Sequence, residues 1–279
     1  MTEIKNKTFD EERSLYSLFN AKISDCKFSG PQDGESPLKE SRGIIVENCL
    51  FDLRYAFWHV TNAEIKDTKF SSTARAPFWY DRNIKATNID SESVKIFREC
   101  KNVQIFDSNF VSEEPFWKCD TLMLNNSKLS GFYAFFNCFH VKVHSLRFTG
   151  KYSFQYNYDL LIEDSVLDTK DAFWHCKNVM IKNSVIKGEY IGWYSKNMIF
   201  VNCTIESHQP FCYSENLRFI DCKMPNCDLA FENSTVHGNI IGEIESIKNP
   251  IKCDLRVDKV NKVIKDNPNS QINLNLEIV

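Results

Sequence analysis

A phenylalanine returns every 19 residues along most of this chain, and that spacing constrains the fold more than any other feature. From Phe78 the column runs Phe97, Phe116, Phe135, Phe154, Phe173, Gly192, Phe211 and Ala230, with Phe57 standing 21 residues ahead of Phe78. Other columns keep the same register. Val103, Leu122, Val141, Leu160, Val179, Met198, Leu217 and Val236 form an aliphatic one, and two residues further on lie Ile105, Leu124, Val143, Ile162, Ile181, Phe200 and Phe219. Cys49, Ser108, Ser127, Ser165, Ser184, Cys203 and Cys222 form a column of small residues. Apolar positions within a repeat are spaced by two and broken by turns, which is the strand period and not the helical one. Helical repeats would need periods of roughly 33 to 47 residues.

A few short strands in 19 residues cannot bury their apolar face alone. Stacked as coils of a parallel solenoid about 4.8 Å apart, each strand pairs with its equivalent and the columns become one core. Asn62, Asn83, Asn102, Asn178, Asn197 and Asn216 recur at the corners, where asparagine tolerates left-handed backbone. The sequence therefore predicts an all-β chain, a single-stranded right-handed parallel β-helix of about ten coils. Residues 1–19 are expected to cap the N-terminus and 20–249 to form the helix, with a loop insertion at 30–42. After Asn249-Pro250 the register dissolves, and 250–279 are expected to supply C-terminal cap strands.

The run Gly34-Glu35-Ser36-Pro37-Leu38-Lys39-Glu40-Ser41, followed by units such as Ala-Phe-Trp-His-Cys-Lys-Asn-Val at Ala172 to Val179, resembles a bacterial domain-of-unknown-function family with a pectate-lyase-like right-handed β-helix. The resemblance implies that fold and a superfamily whose members often act on or bind polysaccharides. It assigns no catalytic residue and no cofactor, and fold alone does not give function.

Lys and Arg number 34 against 37 Asp and Glu, a net charge of −3, so the chain lacks the basic field that nucleic acid or an anionic membrane would require. No apolar run approaches the ~20 residues of a membrane span, and the start MTEIKNKTFDEERS lacks the apolar stretch of a signal peptide. A cytoplasmic protein is expected, with neither nucleic acid nor membrane as partner. Of eleven cysteines, Cys100, Cys119, Cys138 and Cys176 share one column, and Cys26, Cys49, Cys203 and Cys222 fall among the small residues; Cys212, Cys227 and Cys253 remain. They read as reduced coil fillers in a reducing compartment. No CxxC pair, HExxH spacing or clustered aspartates on successive coils suggest a metal, and none is expected.

Every tryptophan, Trp58, Trp79, Trp117, Trp174 and Trp193, follows the recurrent Phe position directly. An inward Phe on a strand forces an outward Trp. The next column includes His59, Tyr80, Glu99, His175, Tyr194 and Tyr213, and Arg98 stands in the Trp column between Trp79 and Trp117. This stripe is either structural support or a binding surface, and the carbohydrate reading takes its flat rings as platforms for sugar faces, with polar neighbours taking hydroxyls. Lys170, Asp171 and Glu189 fall beside Trp174 and Trp193 on neighbouring coils, a pair of carboxylates with a cation that suits glycosidic chemistry. Arg98, Glu99 and Glu114 form a weaker second cluster. Three functions follow: a carbohydrate-interacting β-helix, a polysaccharide lyase or glycoside hydrolase with Asp171 and Glu189 as acid and base and Lys170 stabilising charge, or a protein-interaction scaffold. Oligo- or polysaccharide is the expected partner, with self-association through the stripe or caps as a further expectation.

Overall fold

The structure, a computed structural model, describes residues 1–31 and 34–276. No helix occurs among them, so none is long and apolar enough to cross a membrane. The strands pair in parallel as turns of a right-handed β-solenoid, about fourteen turns with 19-residue spacing, against the ten or so legible in the Phe column. Two compact units, Met1–Lys142 and Val143–Val279, divide the chain.

In the first unit, Ile84 on Arg82–Ser91 pairs with Val103 on Lys101–Phe106, which pairs with Leu122 on Asp120–Phe132. The ladder reaches further back than the Phe column shows. Thr2–Lys5 pairs in parallel with Phe19–Ser24, and Phe9 stacks on Phe28 at 5.1 Å, so residues 1–19 already form a coil. The expected loop at 30–42 is corrected in the same way. Glu35 bridges Arg54, Leu38 N–H donates to Ala56 O at 3.1 Å and Glu40 N–H to Trp58 O at 2.9 Å. Residues 35–42 therefore keep the 19-residue offset from 54–61, with Leu38 buried in the Phe position and Lys39 in the Trp position. Ala21 pairs with Ile44, a step of 23, so only four residues are inserted, around Pro31; residues 32–33 lie outside the described ones.

In the second unit, Leu160, Val179, Met198, Leu217 and Val236 pair in sequence at 19-residue steps. Parallel pairing continues past Asn249-Pro250, with Val236 opposite Cys253, a step of 17, and Cys253 opposite Ile272. Residues 277–279 of the expected terminal strands lie outside the described residues.

The Phe column is the core: Phe78, Phe97, Phe116, Phe135, Phe154, Phe173 and Phe211 are fully buried. Successive rings stack, Phe78 on Phe97 at 4.2 Å and Phe154 on Phe173 at 5.1 Å. The backbone that carries them differs from the expected strand. Among the described residues only Phe57–Trp58 and Phe78–Trp79 pair as strands here, followed by single bridges from Trp79 to Arg98 and from Arg98 to Trp117. From Phe97 to Phe211 the column is left-handed, with φ of 57° at Phe97 and 60° at Phe173, and so is the residue after each Trp position from His59 to Tyr213. Inward Phe and outward Trp are thus set by a repeated turn.

Such a turn strands backbone groups inside the core, where each unpaired one is costly. A second interior column satisfies them. Ser195 Oγ donates to Phe173 O at 2.6 Å and accepts Cys176 N–H at 2.9 Å; Ser214 Oγ donates to Gly192 O at 2.6 Å and accepts Ser195 N–H at 3.2 Å. Cys119 and Cys176 hold the same column and donate their thiols to Phe97 O at 3.2 Å and Phe154 O at 2.7 Å. Two members depart from this type: Asn157, and Asp81, a fully buried carboxyl that accepts Val60 N–H at 2.7 Å and whose pKa burial pushes well above the ordinary carboxylate range. Asp81 Oδ1 takes the acceptor half of the serine role, while the buried Oδ2 has no partner among the described residues.

Two stability outcomes follow. Phe173→Ala should cost about 3–5 kcal/mol in chemical denaturation, and Trp174→Ala distinctly less; equal losses would refute the inward assignment. Ser195→Ala leaves a buried carbonyl and N–H unpaired and should cost about 1–3 kcal/mol. Ser195→Cys should recover most of that loss, because cysteine fills the same column on other coils.

Candidate functional site

The sequence-predicted site residues fall in two places, one in each unit. In the first, the Trp column is a continuous stack. Lys39 Nζ lies 4.2 Å from the Trp58 ring centre, Trp58 stacks on Trp79 at 6.4 Å, and the Arg98 guanidinium sits between Trp79 and Trp117 at 5.4 and 4.9 Å. Trp117 in turn meets Phe136 at 4.9 Å. Glu114 fixes the guanidinium, accepting from Arg98 Nη1 at 3.0 Å and from Lys95 at 3.3 Å. Cation–π contacts on both sides of the guanidinium stabilise the stack by about 1 kcal/mol each. Every inner indole face is therefore covered. Outside this stack, His59 and Tyr80 stack at 5.1 Å with exposed edges, and Glu99 is half-buried in the same column.

In the second unit, Trp174 and Trp193 are also half-buried and stack at 5.5 Å, with planes 10° apart. Their indole N–H groups point into the fold: Trp174 donates to Tyr190 O at 2.6 Å and Trp193 to Gln209 O at 2.9 Å. Trp117 makes the equivalent bond to Tyr133 O at 2.7 Å, and Gln155 uses its amide to reach Asp171 O at 2.8 Å. These four bonds, at a common offset of 16 residues, tie coil to coil, whereas the buried indole N–H groups of Trp58 and Trp79 have no partner among the described residues. The expected flat platforms for sugar faces are thus closed by ring-on-ring stacking, and the tryptophans serve as a floor.

The rings that do reach solvent belong to the next column. Tyr156, His175, Tyr194 and Tyr213 stack at 4.8, 5.0 and 5.0 Å with interplanar angles of 14°, 8° and 11°. The three tyrosines are 43–46% exposed, so faces are spent on one another and polar edges point outward. Among the described residues, no hydrogen bond within the fold engages the hydroxyls of Tyr194 and Tyr213 or the imidazole of His175. Tyr156, 19 residues ahead of His175, belongs to this column but not to the site expected from sequence; the column itself was the signal.

On the far side of the Trp floor runs a charged rail. Lys170 Nζ bonds Glu189 at 2.6 Å and lies over the Tyr190 ring at 5.3 Å. His208 follows Glu189 on the next coil and binds Asp228 through Nδ1 at 2.8 Å. This dyad was missed, since it depends on a 20-residue offset that departs from the repeat. Asp171 is 7% exposed, and burial raises its pKa, with the Lys170 charge opposing and Glu189 adding to the rise. The Lys170 hydrogen bond holds Glu189 below its usual range. Two neighbouring carboxyls are therefore driven apart in acidity, the arrangement that separates an acid from a base.

All eleven cysteines are buried and none is bridged. Burial pushes Cys176 up to about 12, which leaves no thiolate for chemistry at neutral pH. Among the described residues no three His, Cys, Asp or Glu side chains gather closely enough to hold a metal ion.

A family model described as "Protein of unknown function (DUF3737)" matches residues 2–278. The chain belongs to that family. No curated protein matches it in sequence. Among solved structures it is similar to PfbA, a surface adhesin of Streptococcus pneumoniae, at 9% identity over 98% of this chain and 82% of that one, with a TM-score of 0.38. It is similar at 8% identity to the periplasmic alginate epimerase AlgG, over 94% of this chain and 77% of that one, TM-score 0.35. The mannuronan C-5 epimerase AlgE4 A-module of Azotobacter vinelandii gives 7% identity over 99% and 88%, TM-score 0.29. At such identities and scores the likenesses carry no activity across, and a function for this family member rests on its own surface.

The acidity of Asp171 has a measurable consequence. A carboxyl whose pKa is raised by folding favours the native state while protonated, and that contribution is lost as pH rises through the folded pKa. Asp171→Asn should therefore be more stable than the parent at pH 7, the difference vanishing below the ordinary carboxylate range. A pH-independent difference between the two denaturation curves would refute the assignment.

Proposed function

We propose that the chain is a carbohydrate-interacting β-solenoid that engages an extended saccharide along the second unit, on Tyr156, His175, Tyr194 and Tyr213. One observation carries the reading: four stacked rings present polar edges at 4.8–5.0 Å intervals, with the hydroxyls of Tyr194 and Tyr213 unused by the fold. A row of hydrogen-bonding edges repeating at the coil spacing of about 4.8 Å suits a polymer with one polar unit per step. A compact metabolite would meet only one or two of them. Trp193 meets Tyr194 and Tyr213 edge-on at 6.2 and 6.0 Å, and Lys170, Glu189 and His208 lie beyond the Trp floor.

A second reading, cleavage of that saccharide, is favoured by the opposed acidities of Asp171 and Glu189. Asp171 would supply the proton as general acid and ionised Glu189 would act as base or nucleophile, with Lys170 holding it charged.

Substitution at the ring edges tests the first reading without disturbing the stack. Tyr194→Phe combined with Tyr213→Phe keeps both rings and should lower oligosaccharide affinity on a broad glycan screen about tenfold or more, as lost hydrogen bonds do. Unchanged melting would confirm that the fold is intact. A screen with no ligand sensitive to the double variant would overturn the carbohydrate reading in favour of a protein-binding surface. Asp171→Asn should abolish turnover of any glycan the protein cleaves while leaving its binding in place.

A further inference from the structure

In the second unit one corner position is held by Asp164, Asn183 and Asn202 on successive coils, and by Ser145 on the coil before them. All four are left-handed, with φ of 49–53°. Asn202 donates to Asn183 at 3.0 Å and Asn183 to Asp164 Oδ1 at 3.2 Å. Serine is too short to carry that ladder a coil further. Its neighbour His144 does so instead: Nε2 lies 2.9 Å from Asp164 Oδ2, and Nδ1 lies 3.1 Å from Ser145 Oγ. Hydroxyl, imidazole and carboxylate are thereby joined in one chain, and Asn183 fixes the carboxylate from the coil beyond.

The hydrogens in this chain have a direction. An ionised carboxylate only accepts, so His144 Nε2 carries the ring hydrogen and Nδ1 presents its lone pair to the Ser145 hydroxyl. A third group thus orients a base that in turn contacts a nucleophile. His144 and Asp164 are about half exposed and Ser145 is half-buried, so a ligand can reach the hydroxyl from solvent. Arg147, two residues on, is exposed and takes part in no ion pair among the described residues. It pairs across the coil step with Val166, which pairs with Val185, and Val166 is 41% exposed. In sequence the serine therefore stands between a base and an unengaged cation, with a short apolar strip beside that cation.

We infer that Ser145 is the nucleophile of a hydrolytic site for short-chain acyl esters, with His144 as its base and Asp164 as the residue that positions the imidazole. Ser145 Oγ attacks the acyl carbon while its proton passes to His144 Nδ1, and Arg147 supplies positive charge to the oxyanion. The tetrahedral adduct breaks the ester C–O bond, and the alcohol leaves with the proton from Nδ1. Water, losing a proton to Nδ1, then cleaves the acyl-serine; the carboxylic acid departs and the proton returns to Oγ. Val166 and Val185 give a short acyl chain its apolar contact. None of these residues belongs to the ring ladder, and the inference stands apart from the saccharide reading.

Fluorophosphonate labelling read by peptide mass spectrometry, together with turnover of p-nitrophenyl butyrate, tests it on the full chain. The adduct should sit on Ser145. Ser145→Asn, which installs the residue the same corner uses at Asn183, should melt with the parent and lose both labelling and turnover. His144→Gln should slow both ~10²-fold or more, as loss of a general base does. Asp164→Asn should lower kcat about tenfold or more with KM unchanged, because it misdirects the ring hydrogen; a merely structural corner would move the melting point and leave kcat alone. Absence of labelling, an adduct only on other residues, turnover that survives Ser145→Asn, or a kcat unmoved by His144→Gln or by Asp164→Asn would each overturn the inference.

Discussion

The hydroxyl and thiol column behind the Phe stack is the constraint on which the coils depend. A parallel solenoid gains most of its stability from apolar columns, but its corners carry peptide groups that no strand partner reaches. Here, from Phe97 to Phe211, the left-handed residue at each turn leaves its carbonyl facing inward. The oxygen of Phe173 is satisfied by Ser195, 22 residues on, and that of Phe211 by Ser234, 23 residues on, both at 2.6 Å. Small donors are needed because the space lies between stacked rings. Serine and cysteine meet the demand, and four of the eleven unbridged cysteines, Cys100, Cys119, Cys138 and Cys176, stand in this column.

Much of this was legible from residue order alone, because columns that must be apolar announce themselves at a fixed spacing. The parallel coil, its 19-residue period and the burial of the Phe column follow from that rule. What escaped was each place where a different residue type meets the same physical demand. Leu38 replaces Phe and Lys39 replaces Trp in the run at 35–42, so a regular coil reads as a loop. A 17-residue step between Val236 and Cys253 hides the continuation of the ladder. The turn at Phe173 was equally hidden, since phenylalanine has no preference for φ of 60°; the surrounding hydrogen bonds impose it.

The stripe shows a different limit. Position in the repeat correctly places every Trp in one column, yet the meaning of that column depends on a distance, the coil step. Rings set one coil apart are separated by little more than their own thickness, as Trp174 and Trp193 are at 5.5 Å. Stacking then consumes the faces a sugar would use, and the indole N–H is drawn to a carbonyl 16 residues on. A periodic aromatic column on a β-solenoid is thus first a cohesive element, and only its edges are available to a ligand.

The edges differ from column to column, and the proposed function rests on this difference. Asparagine columns are self-saturating: Asn83 donates to Asn62 at 2.7 Å, Asn102 to Asn83 at 2.9 Å, and Asn197 to Asn178 at 3.0 Å. The exposed acid and amine columns are closed in the same manner by pairs such as Lys170 with Glu189 and Lys187 with Glu206. Surface pairs of this kind add little stability, about 0–1 kcal/mol each. Their effect is to neutralise the rungs they occupy. Tyr194 and Tyr213 break the pattern, since phenol rings satisfy each other through their faces and leave the hydroxyls unspent. Beside Asn and acid–amine ladders that are internally paired, the hydroxyls of Tyr194 and Tyr213 are edges that the proposed saccharide can complete.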